Sequence, residues 1–189
     1  RNVNHDRKCI TADIAFEGSN KFVVGYWEGF ELMNIEIMEK SNGPQIIDGI
    51  SSVAQFYGVN NCDIVFDADG VGAFISGSEG GFIPGAVAFH GGGSAMEVYN
   101  TVTGKQEKEN YFNLRSQCYY RSGDRFNKGG ARISAYVGSK MYDDKMTVRQ
   151  RFLWERRAIK RDKVDSDGKL KIIPKEQMKI ILSGESPDL

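Results

Sequence analysis

The stretch KCITADIAFEGSNKFVVGYWEGFELMNIEIMEK, residues 8–40, decides the fold class. Its runs 8–16, 21–32 and 34–40 are rich in aromatic and β-branched residues and are separated by short polar breaks, so they read as an antiparallel three-stranded meander. Helical spacing follows at once. In GPQIIDGISSVAQFYGV, residues 43–59, Ile46, Ile47, Ile50, Val53, Ala54 and Tyr57 fall on one stripe and Pro44 suits a first turn. The short apolar runs 63–67 and 85–89 then have the pattern of strands covered on both faces. This order predicts an α/β fold whose mixed sheet combines the meander with parallel strands and is flanked by helices.

Beyond HGGGSA, residues 90–95, a polar stretch through Gly104 reads as a loop or small hairpin. Residues 108–126 carry Tyr111, Leu114, Cys118 and Tyr119 at helical spacing, and residues 146–164 read as a second, strongly basic helix. VDSDGKLKIIP, residues 164–174, places a D-G turn between two extended pieces, and Pro174 opens a last helix to Leu182. No internal repeat, low-complexity run or heptad occurs.

The 189 residues suit a single domain with a real core, spanning residues 1–189. With 40% hydrophobic and 26% charged residues the composition is that of a soluble protein, and no apolar run approaches the roughly 18 to 20 residues that span a bilayer. No signal-peptide pattern opens the chain. Cys9, Cys62 and Cys118 are far apart and form no C-x-x-C pair, which favours a reducing compartment and argues against a zinc site. Beginning at Arg1 without Met and ending in SGESPDL, the sequence reads as a piece excised from a longer polypeptide.

A net charge of zero conceals a division. Residues 1–100 hold 5 Lys and Arg against 13 Asp and Glu, a balance of −8, whereas residues 101–189 hold 20 against 12, a balance of +8. Either a polyanion-binding face lies beside a cation-binding centre, or solvated helix surfaces produce the asymmetry. Arg115, Arg121, Arg125, Lys128, Arg132, Arg149, Arg151, Arg156, Arg157, Lys160 and Arg161 are the candidates for phosphate contacts, as an ensemble.

Acids inside strands carry the chemical question. Strand interiors disfavour Asp, yet Asp13 stands in the middle of the first run and Asp63, Asp67 and Asp69 crowd CDIVFDADGVGAFISG, residues 62–77. Asp13 either faces solvent on an open sheet face or is paired or metal-bound. Asp67 either terminates its strand or holds a cation. If the two strands are parallel neighbours, both carboxylates meet at one sheet end, where a hard divalent ion offsets their repulsion. No G-x-x-x-x-G-K-[ST] occurs, so a P-loop is absent, and His90 reads as a loop residue.

An Asp within the first strand of a meander, DADGVG after a later strand, FHGGGSA, KENYFNLRSQCY and GKLKIIPKEQMKIILSGESPDL together resemble the nuclease domain of the large terminase subunit of tailed bacteriophages. The resemblance covers nearly the whole chain, and its most specific parts are the D-x-x-G-V-G turn and the closing K-x-x-M-K... S-P-D-L string. It implies a ribonuclease H-like fold in which Asp13, Asp67 and Asp188 converge on two divalent ions, Mg²⁺ or Mn²⁺, for endonucleolytic cleavage of concatemeric double-stranded DNA. Within the basic ensemble, Arg115, Arg121, Arg125, Lys128, Arg156 and Arg157 are the DNA-contact candidates, with a solvated surface as the alternative for each; the resemblance also implies an upstream packaging ATPase domain in cis. The implied partners are the terminase small subunit and portal protein, in the cytoplasm of a bacterial host and away from any membrane. In that family the last acid precedes a further helix, whereas this sequence ends one residue after Asp188. Two rival readings share these features: a resolvase-type ribonuclease H-like nuclease, and a catalytically silent DNA-binding or motor-docking module.

Overall fold

The computed structural model describes residues 6–15, 21–39, 41–69, 82–163, 168–187 and 189. Strands β1 (Lys8–Asp13), β2 (Phe22–Glu28) and β3 (Glu31–Met38) form the antiparallel meander. The turn between β2 and β3 lies at Gly29, whose φ of 58° is a left-handed conformation that a side chain disfavours. The residue pattern extends the second run to Leu32. The apparent break at Met33 is instead a bulge: Tyr26 pairs with Asn34 and Trp27 with Leu32, leaving Met33 as the extra residue of one continuous strand.

Helix α1 (Gly43–Tyr57) starts with a reciprocal cap, in which Asn42 Oδ1 accepts from the Gln45 backbone and Gln45 Oε1 accepts from the Asn42 backbone. It buries Ile46, Ile50 and Ala54 against Ile10, Ala12, Phe22, Val24 and Tyr26 on one sheet face. Strand β4 (Ile64–Asp67) then pairs parallel with β1, and β5 (Val87–Phe89) pairs parallel with β4. The sheet order is β5-β4-β1-β2-β3-β8, with β8 (Arg132–Ile133) parallel to β3 at the far edge. Mixed pairing and flanking helices agree with the expected fold class.

Strands β6 (Glu97–Asn100) and β7 (Lys105–Lys108) form a separate hairpin. The helix expected from residue 108 therefore starts later, as α2 (Leu114–Asn127), where Asn113 caps the Ser116 N–H at 2.9 Å. Helices α3 (Ala135–Ser139) and α4 (Val148–Glu155) place Val137 and Val148 over the opposite sheet face, against Val23, Leu32, Ile35 and Tyr142. The basic helix expected over 146–164 is shorter than its charge run. After Glu155 the chain tightens into a 3-10 turn, Arg156–Ala158, which drops Ala158 into a third apolar cluster with Ile172, Ile173, Met178 and Leu182. Tyr119 and Tyr120 of α2 and Met178 of α5 (Lys175–Ile181) close that cluster. Residues 164–167 of the expected D-G turn lie outside the described residues. Among the described residues no helix is long and apolar enough to cross a membrane.

Candidate active site

Strands β1 and β4 run in register through Ile10↔Ile64, Thr11↔Val65 and Ala12↔Phe66. One residue further along, each strand ends in an acid, Asp13 and Asp67. Neighbouring strands lie about 4.8 Å apart and side chains alternate between faces. Ala12 and Phe66 enter the α1 core, so Asp13 and Asp67 stand side by side on the opposite face. Both are half-buried. Asp13 also pairs with Val23 of β2, which belongs to the apolar cluster on that same face.

The turn after β4 is held by its own acids. Asp67 Oδ1 accepts the Asp69 N–H at 3.0 Å, a short local bond that bends the chain away from the strand. Asp69 then reaches across to the loop after β5: Oδ2 accepts the Gly91 N–H at 3.0 Å, and Oδ1 lies 3.4 Å from His90 Nδ1. Arg115 Nη2 lies 3.8 Å from Asp69. The carbonyls of Gly91 and Gly93 accept the N–H groups of Arg115 and Leu114, which stitches this loop to the start of α2. Gly91 permits that approach, because a Cβ there would sit 3.1 Å from Arg115 Nε and 3.3 Å from Asp69 Oδ2. Asp63, by contrast, is bound to Arg7 at 2.8 Å at the other end of β4.

One turn beyond Arg115 on α2 stands Tyr119. Burial pushes its hydroxyl pKa up, Arg115 pulls against that shift, and the charges of Glu155, Asp13 and Asp67 add to it. One hydroxyl thus senses both strand-end acids, a helix cation and a glutamate from α4. In the sequence Tyr119 shows only helical spacing. Its helical spacing gave the core contact, but nothing in the local pattern signalled the acids that β1 and β4 bring to it.

Asp188 lies outside the described residues. Among the described residues no group of three or more His, Cys, Asp or Glu side chains is arranged to hold a metal ion. Asp13 and Asp67 form a pair of oxygen donors. That donor chemistry fits a hard divalent cation, which is held by few protein ligands and keeps waters.

The basic residues divide by environment. Arg156 and Arg157 project into solvent from the 3-10 turn. Arg121 is paired with Glu109 at 2.9 Å, Arg125 stacks 3.6 Å above the Phe30 ring, and Lys128 lies 3.9 Å from Asp124. Arg151 leaves the surface ensemble altogether: it is only 3% exposed, drawn in by Glu155, Glu185 and the Ser186 carbonyl. Arg132 pairs with Glu31 at 3.1 Å on the edge of the sheet.

The chain is similar in structure to the nuclease domain of the large terminase subunit gp2 of bacterial virus Sf6, with a TM-score of 0.73 at 21% identity over 96% of this chain and 83% of that one. A variant of the same domain, solved with manganese and beta-thujaplicinol, matches with TM-score 0.73 and 20% identity over 98% of this chain and 85% of that one. The large terminase nuclease from thermophilic phage G20c matches more distantly, with TM-score 0.50 and 13% identity over 87% and 70% of the two chains. No protein-family profile matches the sequence, and no curated protein does. The fold is that of terminase nuclease domains, a ribonuclease H-like α/β fold.

Proposed function

We propose that this chain is the nuclease domain of a viral DNA-packaging terminase, a divalent-metal-dependent endonuclease that hydrolyses phosphodiester bonds of concatemeric double-stranded DNA. The observation that carries the reading is the side-by-side ending of β1 and β4 in Asp13 and Asp67, within a fold shared with terminase nucleases. Asp13, Asp67 and Asp188 would hold Mg²⁺ or Mn²⁺, as two ions. When bound, such a pair of ions lowers the pKa of an attacking water and stabilises the leaving oxygen of an in-line displacement. The chain's own work is positional. Parallel pairing fixes the strand-end carboxylates relative to each other, and Asp69 with Gly91 fixes the turn beside them.

Arg115, Arg121, Arg125, Lys128, Arg156 and Arg157 bind the phosphate backbone, which sets register on DNA without reading sequence. The reading extends to an ATPase domain in cis, to terminase small subunit and portal protein as partners, and to the bacterial cytoplasm as the place of work. Supercoiled plasmid incubated with Mn²⁺, Mg²⁺ or a chelator tests it, beside a four-way junction offered as competitor. Nicked and linear products with metal and none with chelator are expected, with no preference for the junction. Preferred junction cleavage would assign a resolvase, and binding without cleavage would leave a silent DNA-binding module.

A further inference from the structure

Helix α4 fastens the end of the chain by a buried ion pair. We propose that Arg151 and Glu155 are positioning residues that grip the tail at Glu185, Ser186 and Leu189, beside the sheet face bearing Asp13 and Asp67, and that cation uptake there depends on this grip. The inference rests on the nuclease reading above and names residues which that reading does not contain.

Burial is the first observation. Arg151 is 3% exposed and Glu155 1% exposed, one turn apart on α4. A buried ion pair is weak evidence for stability, because the cost of desolvating both ions offsets much of their attraction and apolar replacements often serve as well. Contacts to the tail give this pair a distinct task. Arg151 directs Nε to Glu155, Nη1 to Glu185 and Nη2 to the Ser186 carbonyl, the last at 3.0 Å. Glu155 turns its second oxygen to the Leu189 N–H at 2.8 Å. Two of these contacts are to main-chain atoms, so they hold the backbone at Ser186 and at Leu189 whatever side chains stand there.

Orientation is fixed too. The rings of Tyr142 and Trp154 each lie 4.7 Å from the guanidinium carbon, which leaves the planar fork little freedom to turn. Burial disfavours the charge on Arg151, and Glu185 with Glu155 outweighs that effect, so the side chain stays cationic. The grip leads to the acids through its far end: Leu189 packs on the cluster containing Val23, the strand partner of Asp13.

The test compares wild type with Arg151→Lys, Glu185→Gln and Asp67→Asn. Arg151→Lys keeps the charge and loses the fork. Glu185→Gln removes one partner from a side chain that is 59% exposed, so its fold is secure. Mn²⁺ binding is measured by titration calorimetry, the tail by amide exchange at Leu189, and the fold by thermal melting. Arg151→Lys is expected to accelerate Leu189 exchange and to weaken Mn²⁺ binding about tenfold, the low end of what loss of outer-shell support does at metal sites. Glu185→Gln should move both readouts in the same direction by less. Asp67→Asn should lose Mn²⁺ binding with unchanged Leu189 exchange. If Asp67→Asn loses Mn²⁺ while both tail variants bind it as wild type does, the pair is merely structural and the proposal is overturned. If Asp67→Asn binds Mn²⁺ normally, the nuclease reading fails, and the proposal with it.

Discussion

Asp67 and Asp69 are two residues apart and do different work. Asp67 closes β4 beside Asp13, while Asp69 is spent on the Gly91 N–H and stands near His90 and Arg115. Asp69→Ala should therefore destabilise the fold by about 1–2 kcal/mol, below the full scale of a hydrogen bond to a charged acceptor because the side chain is 40% exposed. Nicking should slow without disappearing, because both strand-end acids remain. A thermal melt beside a nicking time course checks this, and complete loss of cleavage with an intact melt would move Asp69 into the metal-holding set. That Asp13 and Asp67 end neighbouring strands was legible in the sequence, because period-two alternation exposes a charge that a strand does not want. The burial of Arg151 and Glu155 was not legible, since residue type alone assigns both to the surface. Asp63 closes the 3-10 turn just before β4, where Arg7 pairs with it at 2.8 Å.

At the scale of elements, α2 joins the hairpin to the acid-bearing end of the sheet. Its buried Gln117 donates to the Met96 carbonyl and to Glu109, and accepts the Met96 N–H. Hydrogen bonding to Arg121 holds the Glu109 carboxyl below its usual pKa, against burial and with help from Gln117. A lowered folded-state pKa adds stability that is present at neutral pH and lost as pH falls through that pKa. Wild type should thus lose melting temperature between about pH 5 and pH 3, near and below the ordinary Glu pKa. Glu109→Gln should start less stable at pH 7 and show a shallower acid-side slope, and parallel slopes in the two proteins would remove Glu109 from this role. The meander, α1 and β4 were legible because each repeats a period long enough to recognise. Met33 misled because a bulge places an unpaired residue inside a continuous strand. Strand β8 has two residues and α3 five, too few for any period to show. The basic run past Glu155 looked helical because charge continues where helix does not.

Across the whole molecule, the acidic half of the sequence builds β1 to β5 and the basic half builds α2 to α5. If the second half tracks DNA phosphates, affinity for duplex of random sequence should fall by orders of magnitude between about 50 and 200 mM salt. Arg156→Ala combined with Arg157→Ala should weaken binding more than Arg121→Ala, since Arg121 is already paired with Glu109. Equal losses would show that the Glu109 pair opens on DNA. The central claim is that the acids ending β1 and β4 make a metal-dependent nuclease of this fold. Asp67→Asn tests it most directly, because the amide is nearly isosteric and neutral: packing is preserved while the hold on a cation is lost. Removing one of two like charges also relieves repulsion in the metal-free protein, so the fold should be unharmed or slightly more stable. The measurement is plasmid nicking at saturating Mn²⁺, read beside DNA binding and a melt of the same preparation. The account predicts abolished nicking with wild-type DNA affinity and an unchanged or raised melt; nicking at the wild-type rate would contradict it and leave Asp67 a strand terminator.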